Sequence, residues 1–190
     1  MIGAAGGKRA LILDRDGVIN EDKGYVHRVA DCRFIDGIFE LVEAFAARGF
    51  LIVVASNQSG IGRGMFGEAE YQAVMEFIRG EFAKHGAPIV AAYHCPDHPT
   101  EGVGRFRRDS PWRKPNPGMI LAAQKALGLD LARSWGVGDQ LRDVTAYRDA
   151  GVGTLVLFEP QAKAPSRKGD FWIVPRLGDI VALLAEKEKS

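Results

Sequence analysis

Asp14 and Asp16 stand two positions apart at the end of a short apolar run, in the segment Asp14-Arg15-Asp16-Gly17-Val18-Ile19-Asn20. Carboxylates at that spacing on an extended chain project to the same side. One can attack an electrophile while the other moves a proton. An isolated Asp-x-Asp-Gly is also an ordinary turn sequence, so the pair acquires meaning only from its company. A second apolar run ends in Ser56-Asn57-Gln58-Ser59-Gly60, a helical stretch is preceded by Arg113-Lys114-Pro115, and a further run ends in Gly138-Asp139-Gln140-Leu141-Arg142-Asp143. A hydroxyl, amides, an ammonium and more carboxylates are the groups that handle phosphoryl oxygens and a hard divalent cation.

The elements that must bring these groups together are legible in the hydrophobic pattern. Residues 10–13 and 50–55 read as buried strands, and between them Ile38, Leu41, Val42 and Phe45 fall at helical spacing with Gly49 as a stop. The pattern continues with a helix through Tyr71, Val74, Met75, Ile78 and Phe82 closed by Gly86, a strand at 89–93, and a helix at 119–127 stopped by Gly128. Strands at 134–137 and 154–158 flank a short helix at 144–150, and a strand at 171–174 precedes a helix carrying Ile180, Val181, Leu183 and Leu184. Such alternation predicts a three-layer α/β fold with a mostly parallel sheet. Ligands of such sheets bind beyond the carboxyl ends of the strands, where every motif segment falls. Residues 1–190 read as a single domain with a catalytic core at 8–160 and a terminal strand and helix at 171–190. The Pro- and Arg-rich insert at 94–116 exceeds ordinary loop length, which points to a function. Residues 161–170, with Lys163, Arg167 and Lys168, read as a solvated connection.

With 46% apolar and 26% charged residues in 190, the chain can bury a core, and whole-chain disorder and collagen-like structure are excluded. Lys and Arg number 25 against 24 Asp and Glu, a formal charge of +1 with no general pull toward nucleic acid or an acidic membrane. Cys32 and Cys95 are too few for a disulfide framework and suit a reducing compartment. The start lacks a leader pattern, and no run approaches the ~20 apolar residues that span a bilayer. The expectation is a soluble, cytoplasmic monomer with neither nucleic acid nor membrane as partner.

The motif set resembles the haloacid dehalogenase superfamily of phosphotransferases over residues 10–158: Asp14-Arg15-Asp16-Gly17, Ser56, Lys114 and Gly138-Asp139 to Asp143 match its four motifs. Within it, the segment 14–20, Gly24-Tyr25-Val26, the segment 56–64 and Arg113-Lys114-Pro115-Asn116-Pro117-Gly118-Met119 look like the D-glycero-D-manno-heptose 1,7-bisphosphate phosphatases. These are small enzymes with a Rossmann-like fold and no large cap domain. The resemblance implies that Asp14 attacks phosphorus to form an aspartyl-phosphate. Asp16 would serve as general acid and then base. It also implies Mg²⁺ held by Asp14, Asp139 and the main-chain carbonyl of Asp16, with Lys114 supplying further positive charge. Ser56 and Asn57 would bind phosphoryl oxygens, with Arg15 lending its backbone N–H. Asp22, Lys23, Gly24, Tyr25, Gln58, Ser59, Arg63, Arg113 and Gln140 would contact a small phosphosugar. The implied activity removes the C7 phosphate of the heptose bisphosphate, a step toward nucleotide-activated heptose for lipopolysaccharide or capsule.

Other readings stand beside these. Histidinol-phosphate phosphatase is the nearest rival, disfavoured by Gly62-Arg63-Gly64 and Gly24-Tyr25-Val26. A silent phosphosugar-binding scaffold is disfavoured by the presence of both Asp14 and Asp16. Lys114 could be half of a solvated pair with Arg113, and His27 could touch substrate or lie at the surface. Asp143 reads as a structural acid behind the metal loop, and Arg105, Arg107 and Arg108 as a solvated face or a second-phosphate site. Gln140 stands where the family usually has lysine, which leaves its side-chain role open. Many relatives carry a zinc loop of Cys-x-His followed by Cys-x-Cys, whereas this chain has Cys95-Pro96-Asp97-His98 and then Asp109-Ser110-Pro111-Trp112. Cys95 and His98 supply at most two of the four ligands of a closed zinc tetrahedron. No zinc is expected; Cys95 becomes a buried thiol, with Pro96, Pro99 and Pro111 stiffening the loop.

Overall fold

The apolar runs pair into one seven-stranded sheet in the computed structural model, whose described residues are 7–189; most of the glycine-rich start lies outside them. The strands are β1 (Ala10–Leu13), β2 (Leu51–Asn57), β3 (Ile89–Cys95), β4 (Trp135–Gly138), β5 (Thr154–Phe158), β6 (Ser166–Lys168) and β7 (Phe171–Val174). The helices are α1 (Ile38–Ala46), α2 (Ser59–Gly62), α3 (Glu68–Lys84), α4 (Gly118–Leu127), α5 (Leu141–Ala150) and α6 (Leu177–Lys187). The order across the sheet is β3-β2-β1-β4-β5-β7-β6, parallel throughout except for the β6–β7 pair.

Every residue of β1, β4 and β5 is buried, because helices cover both faces of a parallel sheet. Alternate side chains then serve two cores. Leu11 and Leu13 join Phe45, Ile78 and Ile180 on one face, while Ala10 and Ile12 join Ile120 and Val144 on the other. The chain lays down β1, β2 and β3 outward, then returns to place β4 on the other side of β1. Winding therefore reverses between β1 and β4, which is where the crevice of an open α/β sheet forms. Asp14 leaves β1 and Asp139 leaves β4 at that point, stitched by the Asp14 N–H donating to Val137 O at 3.0 Å.

The three-layer, mostly parallel fold is as the alternation predicted, with local differences. Residues 161–170 are more than a solvated connection, since Ser166–Lys168 form the antiparallel edge strand β6 on β7. All three residues of β6 are exposed, so no apolar alternation marks it, and its Arg167 and Lys168 suit an edge that must not pair further. Strand β3 runs on to Cys95, two residues into the segment read as insert, and helix α5 begins at Leu141 rather than 144. Among the described residues, no helix is long and apolar enough to cross a membrane.

Candidate active site

Asp14 emerges from β1 into a buried position, and Lys114 comes to it from the end of the insert. The Lys114 ammonium donates to Ala55 O at 2.7 Å and pairs with Asp14 Oδ1 at 3.0 Å and Asp143 Oδ1 at 2.8 Å, with 1% of its side chain exposed. It is therefore no solvated partner of Arg113. Burial opposes its charge, but Asp14 and Asp143 outweigh burial and raise its pKa above the usual lysine value. Burial pushes the Asp14 carboxyl up to about 7; Lys114 pulls it down, while Asp143, Asp139 and Asp16 push it further up. Asp143 also accepts the Gln140 N–H at 2.9 Å, which ties the start of α5 to the lysine.

Asp14, Asp139 and Asp143 each place a carboxylate oxygen within 4.8 Å of the others. Asp139 Oδ1 is buried with no hydrogen-bond partner, and burial raises the pKa of this carboxyl. A buried acceptor without a donor calls for a cation, and an all-oxygen set fits hard Mg²⁺. Gly17 leaves the room: at φ +84° it adopts a backbone that L side chains rarely take, and a Cβ there would lie 2.3 Å from Asp139 Oδ2.

Asp16 is held by donors on both oxygens. Arg15 Nε and Nη2 reach Oδ1 at 3.1 and 2.9 Å, Arg15 Nη2 reaches Oδ2 at 2.9 Å, Asn20 Nδ2 reaches Oδ1 at 3.0 Å and Gln58 Nε2 reaches Oδ2 at 2.8 Å. The Arg15 side chain is fully buried beneath the site, donating also to Val26 O at 2.8 Å, and its backbone N–H is taken up by Asp14 Oδ1 at 2.8 Å. Gln58 Nε2 further donates to Ser56 Oγ at 2.9 Å, so one amide sets both the acid and the hydroxyl.

A cleft of about 300 Å³ opens over these groups, lined by Asp14, Asp16, Ser56, Asn57, Gln58 and Ser59 below and by Asp22, Gly24, Tyr25, Arg63, Arg113 and Arg142 around them. Most residues expected to bind substrate are thus brought together, with corrections. Lys114 does not line the cleft but is buried against Asp14 and Asp143, and the Arg15 N–H expected to meet phosphate is already taken by Asp14 Oδ1. Lys23 does not line the cleft; it is exposed and pairs with Glu21 at 2.9 Å. Gln140 does not line it either, because its amide turns onto Asp139 Oδ2 at 3.0 Å. Asn57 lines the cleft, but its side chain is committed to the Lys114 backbone, donating to Lys114 O at 2.9 Å and accepting from Lys114 N at 3.0 Å. It fixes the lysine rather than offering its amide to phosphate. Arg142, in the first turn of α5, also lines the cleft and was missed, although it lies inside the motif segment 138–143.

Tyr25 takes a left-handed φ of 57°, and Asp22 Oδ1 accepts the Gly24 N–H at 2.9 Å to hold this turn. Arg63 lies over the Tyr25 ring at 5.6 Å and pairs with Glu101 of the insert. His27 stays outside the cleft wall, stacked on Phe66 at 5.1 Å with Nδ1 on Tyr25 O at 2.7 Å. Arg105, Arg107 and Arg108 lie outside it too.

The insert is closed by polar contacts. Asp97, 2% exposed, pairs with Arg108 at 2.9 Å, and its carbonyl accepts Arg113 Nη1 at 3.1 Å, which aims Arg113 into the cleft. Cys95 is a buried thiol whose pKa burial raises. His98 Nδ1 accepts the Glu101 N–H at 3.0 Å, a contact that closes a turn of the insert.

Comparison with known proteins agrees with this geometry. A family model described as HAD-hydrolase-like matches residues 111–180. The chain is 52% identical over 149 residues, 78% of its length and 79% of the relative's, to D-glycero-alpha-D-manno-heptose-1,7-bisphosphate 7-phosphatase of Burkholderia mallei. It is 39% identical over 183 residues, 95% of each chain, to D-glycero-beta-D-manno-heptose-1,7-bisphosphate 7-phosphatase of Escherichia coli K12. A solved HAD-like phosphatase of Mesorhizobium loti superposes with a TM-score of 0.83 at 34% identity, covering 93% of this chain and 86% of that one. The D,D-heptose 1,7-bisphosphate phosphatase of B. bronchiseptica, solved with magnesium and phosphate, gives 0.79 at 27% identity over 94% and 99%.

Proposed function

The chain belongs to the heptose-1,7-bisphosphate 7-phosphatase family of HAD-like hydrolases, and from that premise we propose that it removes the C7 phosphate of D-glycero-D-manno-heptose 1,7-bisphosphate. The observation that carries this reading is a single cleft whose walls hold both the buried nucleophile Asp14 and the guanidinium groups of Arg63 and Arg113. Asp14 attacks phosphorus in line and the sugar oxygen leaves, taking a proton from Asp16. Asp16 then removes a proton from the water that attacks the aspartyl-phosphate, releasing phosphate and restoring Asp14. When bound by Asp14, Asp139 and the Asp16 carbonyl, Mg²⁺ supplies the positive charge that lets a carboxylate meet an anionic phosphate. Lys114 fixes Asp14 and adds a charge that cannot be lost near neutral pH, and Ser56, oriented by Gln58, meets a phosphoryl oxygen.

The insert works here without zinc, held by the Asp97–Arg108 pair and the His98 turn; stoichiometric zinc in elemental analysis of the purified protein would overturn that part. The substrate assignment is tested by kcat/KM on the α and β anomers of heptose 1,7-bisphosphate, on fructose 1,6-bisphosphate and on histidinol phosphate, with ³¹P NMR reading which phosphate leaves. The expected result is the heptose bisphosphate as best substrate with loss at C7. Histidinol phosphate as the best substrate would replace this reading with its rival, and turnover of none of them would favour a binding protein.

A further inference from the structure

We propose that Arg142 binds the phosphate that stays on the sugar, completing a subsite with Arg63 and Arg113; this deepens the bisphosphatase reading and rests on it. The three arginines reach one cleft from three places: Arg63 from the end of α2, Arg113 from the insert and Arg142 from the first turn of α5. Their charges are close enough to be felt. Burial chiefly lowers the pKa of Arg113, and the positive charges of Arg142 and Arg63 lower it further. Like charges gathered around a cleft of about 300 Å³ repel one another until an anion enters, and a phosphate monoester near neutral pH carries close to −2.

The three are not equally free. Arg63 is paired with Glu101, and Arg113 gives Nη1 to the Asp97 carbonyl at 3.1 Å. Among the described residues, no hydrogen bond or ion pair engages the Arg142 guanidinium, so its whole planar fork is open to two phosphate oxygens. The reacting phosphate has its own cation in Lys114, whose contacts are Asp14, Asp143 and Ala55 O. The arginines therefore form a second, cationic site for an anion in the same cleft, the arrangement a substrate with two phosphates requires. Gln140, two residues before Arg142, does not supply this charge. Gln140 is neutral and turned onto Asp139, so it offers that phosphate nothing. Asp22 also lines the cleft, and its Oδ1 accepts the Gly24 N–H at 2.9 Å.

The test compares Arg142→Ala, Arg142→Glu and Arg142→Lys with the wild-type enzyme on heptose 1,7-bisphosphate and on p-nitrophenyl phosphate, with Mg²⁺ saturating. Arg142 is exposed, and thermal melts confirm that each variant is folded. Arg142→Ala should raise KM for the bisphosphate ten-fold or more and lower the ratio of bisphosphate to monophosphate kcat/KM by a similar factor. Arg142→Glu should be worse, and Arg142→Lys should recover only part, because a point charge does not replace the fork. An unchanged ratio in Arg142→Ala, or equal losses on both substrates, would overturn the assignment while leaving the bisphosphatase reading intact. A wild-type enzyme with no preference for the bisphosphate would overturn that reading and Arg142's role with it.

Discussion

Replacing Lys114 with methionine removes one ammonium and leaves Asp14, Asp139 and Asp143 facing one another. The ammonium makes ion pairs of 3.0 and 2.8 Å and a hydrogen bond of 2.7 Å, all in a site where 1% of the side chain is exposed. Breaking a buried pair by removing one partner costs about 3–5 kcal/mol, because the remaining charge stays desolvated and unpaired. For a domain of this size that is roughly 6–20 °C in melting temperature. The loss should depend on pH in a defined direction. Burial and neighbouring carboxylates already hold Asp14 near 7 with the lysine present, and without it the folded-state pKa rises further above the unfolded value. An acid with a raised folded pKa binds protons more tightly when folded, so stability falls as pH rises between the unfolded and folded values. Lys114→Met should therefore lie closer to wild type at pH 5 than at pH 8, and saturating Mg²⁺ should restore part of the difference at pH 8. Activity should fall by about 10²–10³, as when a preorganised group that stabilises the transition state is removed. Scanning fluorimetry from pH 5 to 8, with and without Mg²⁺, is the assay. A melting temperature within 2 °C of wild type (on the order of 1 kcal/mol or less) across that range would show that the lysine does not compensate the acid cluster.

Asp14→Asn should abolish turnover yet keep the fold, whereas Asp16→Asn should lose about 10²–10⁴ in kcat through its proton-transfer role; single-turnover kinetics showing near wild-type rates in Asp14→Asn with Mg²⁺ would rule out the covalent step. In the wild-type protein, the melting-temperature gain from Mg²⁺ over chelator should be larger at pH 8 than at pH 6, since Asp14, at about 7, is mostly protonated at the lower pH and must lose its proton to bind a cation; a gain independent of pH would place the metal elsewhere. Gly17→Ala puts a Cβ 2.3 Å from Asp139 Oδ2 at a φ of +84°, so it should weaken Mg²⁺ activation and cost about 1–3 kcal/mol of stability, read from Mg²⁺ titration of activity and urea denaturation.

Much of the molecule was legible in the residues themselves. Strands β1, β2 and β5 announce themselves as continuous apolar runs because parallel strands are covered on both faces, and the carboxyl-end rule then puts Asp14, Asp16, Ser56 and Asp139 along one edge. Lys114 was legible as a motif residue, but that its charge is buried between Asp14 and Asp143 is a property of three segments meeting. Strand β6 left no trace, since a strand wet on both faces needs no alternation and gains its structure from the backbone of β7. Side-chain direction at turns was equally illegible. Lys23 sits among Asp22, Gly24 and Tyr25 yet points to Glu21, and Asn57 sits beside Ser56 yet holds the Lys114 backbone. Arg142 entered the cleft while Gln140, two residues earlier, turned away. Residue types and strand-end spacing determine which chemistry is possible, because they are set by local periodicity and by the chain's reversal at β1 and β4. Which donor reaches which acceptor is decided only by tertiary packing, because at loop and helix-start positions several orientations are open locally and contacts from distant segments select one.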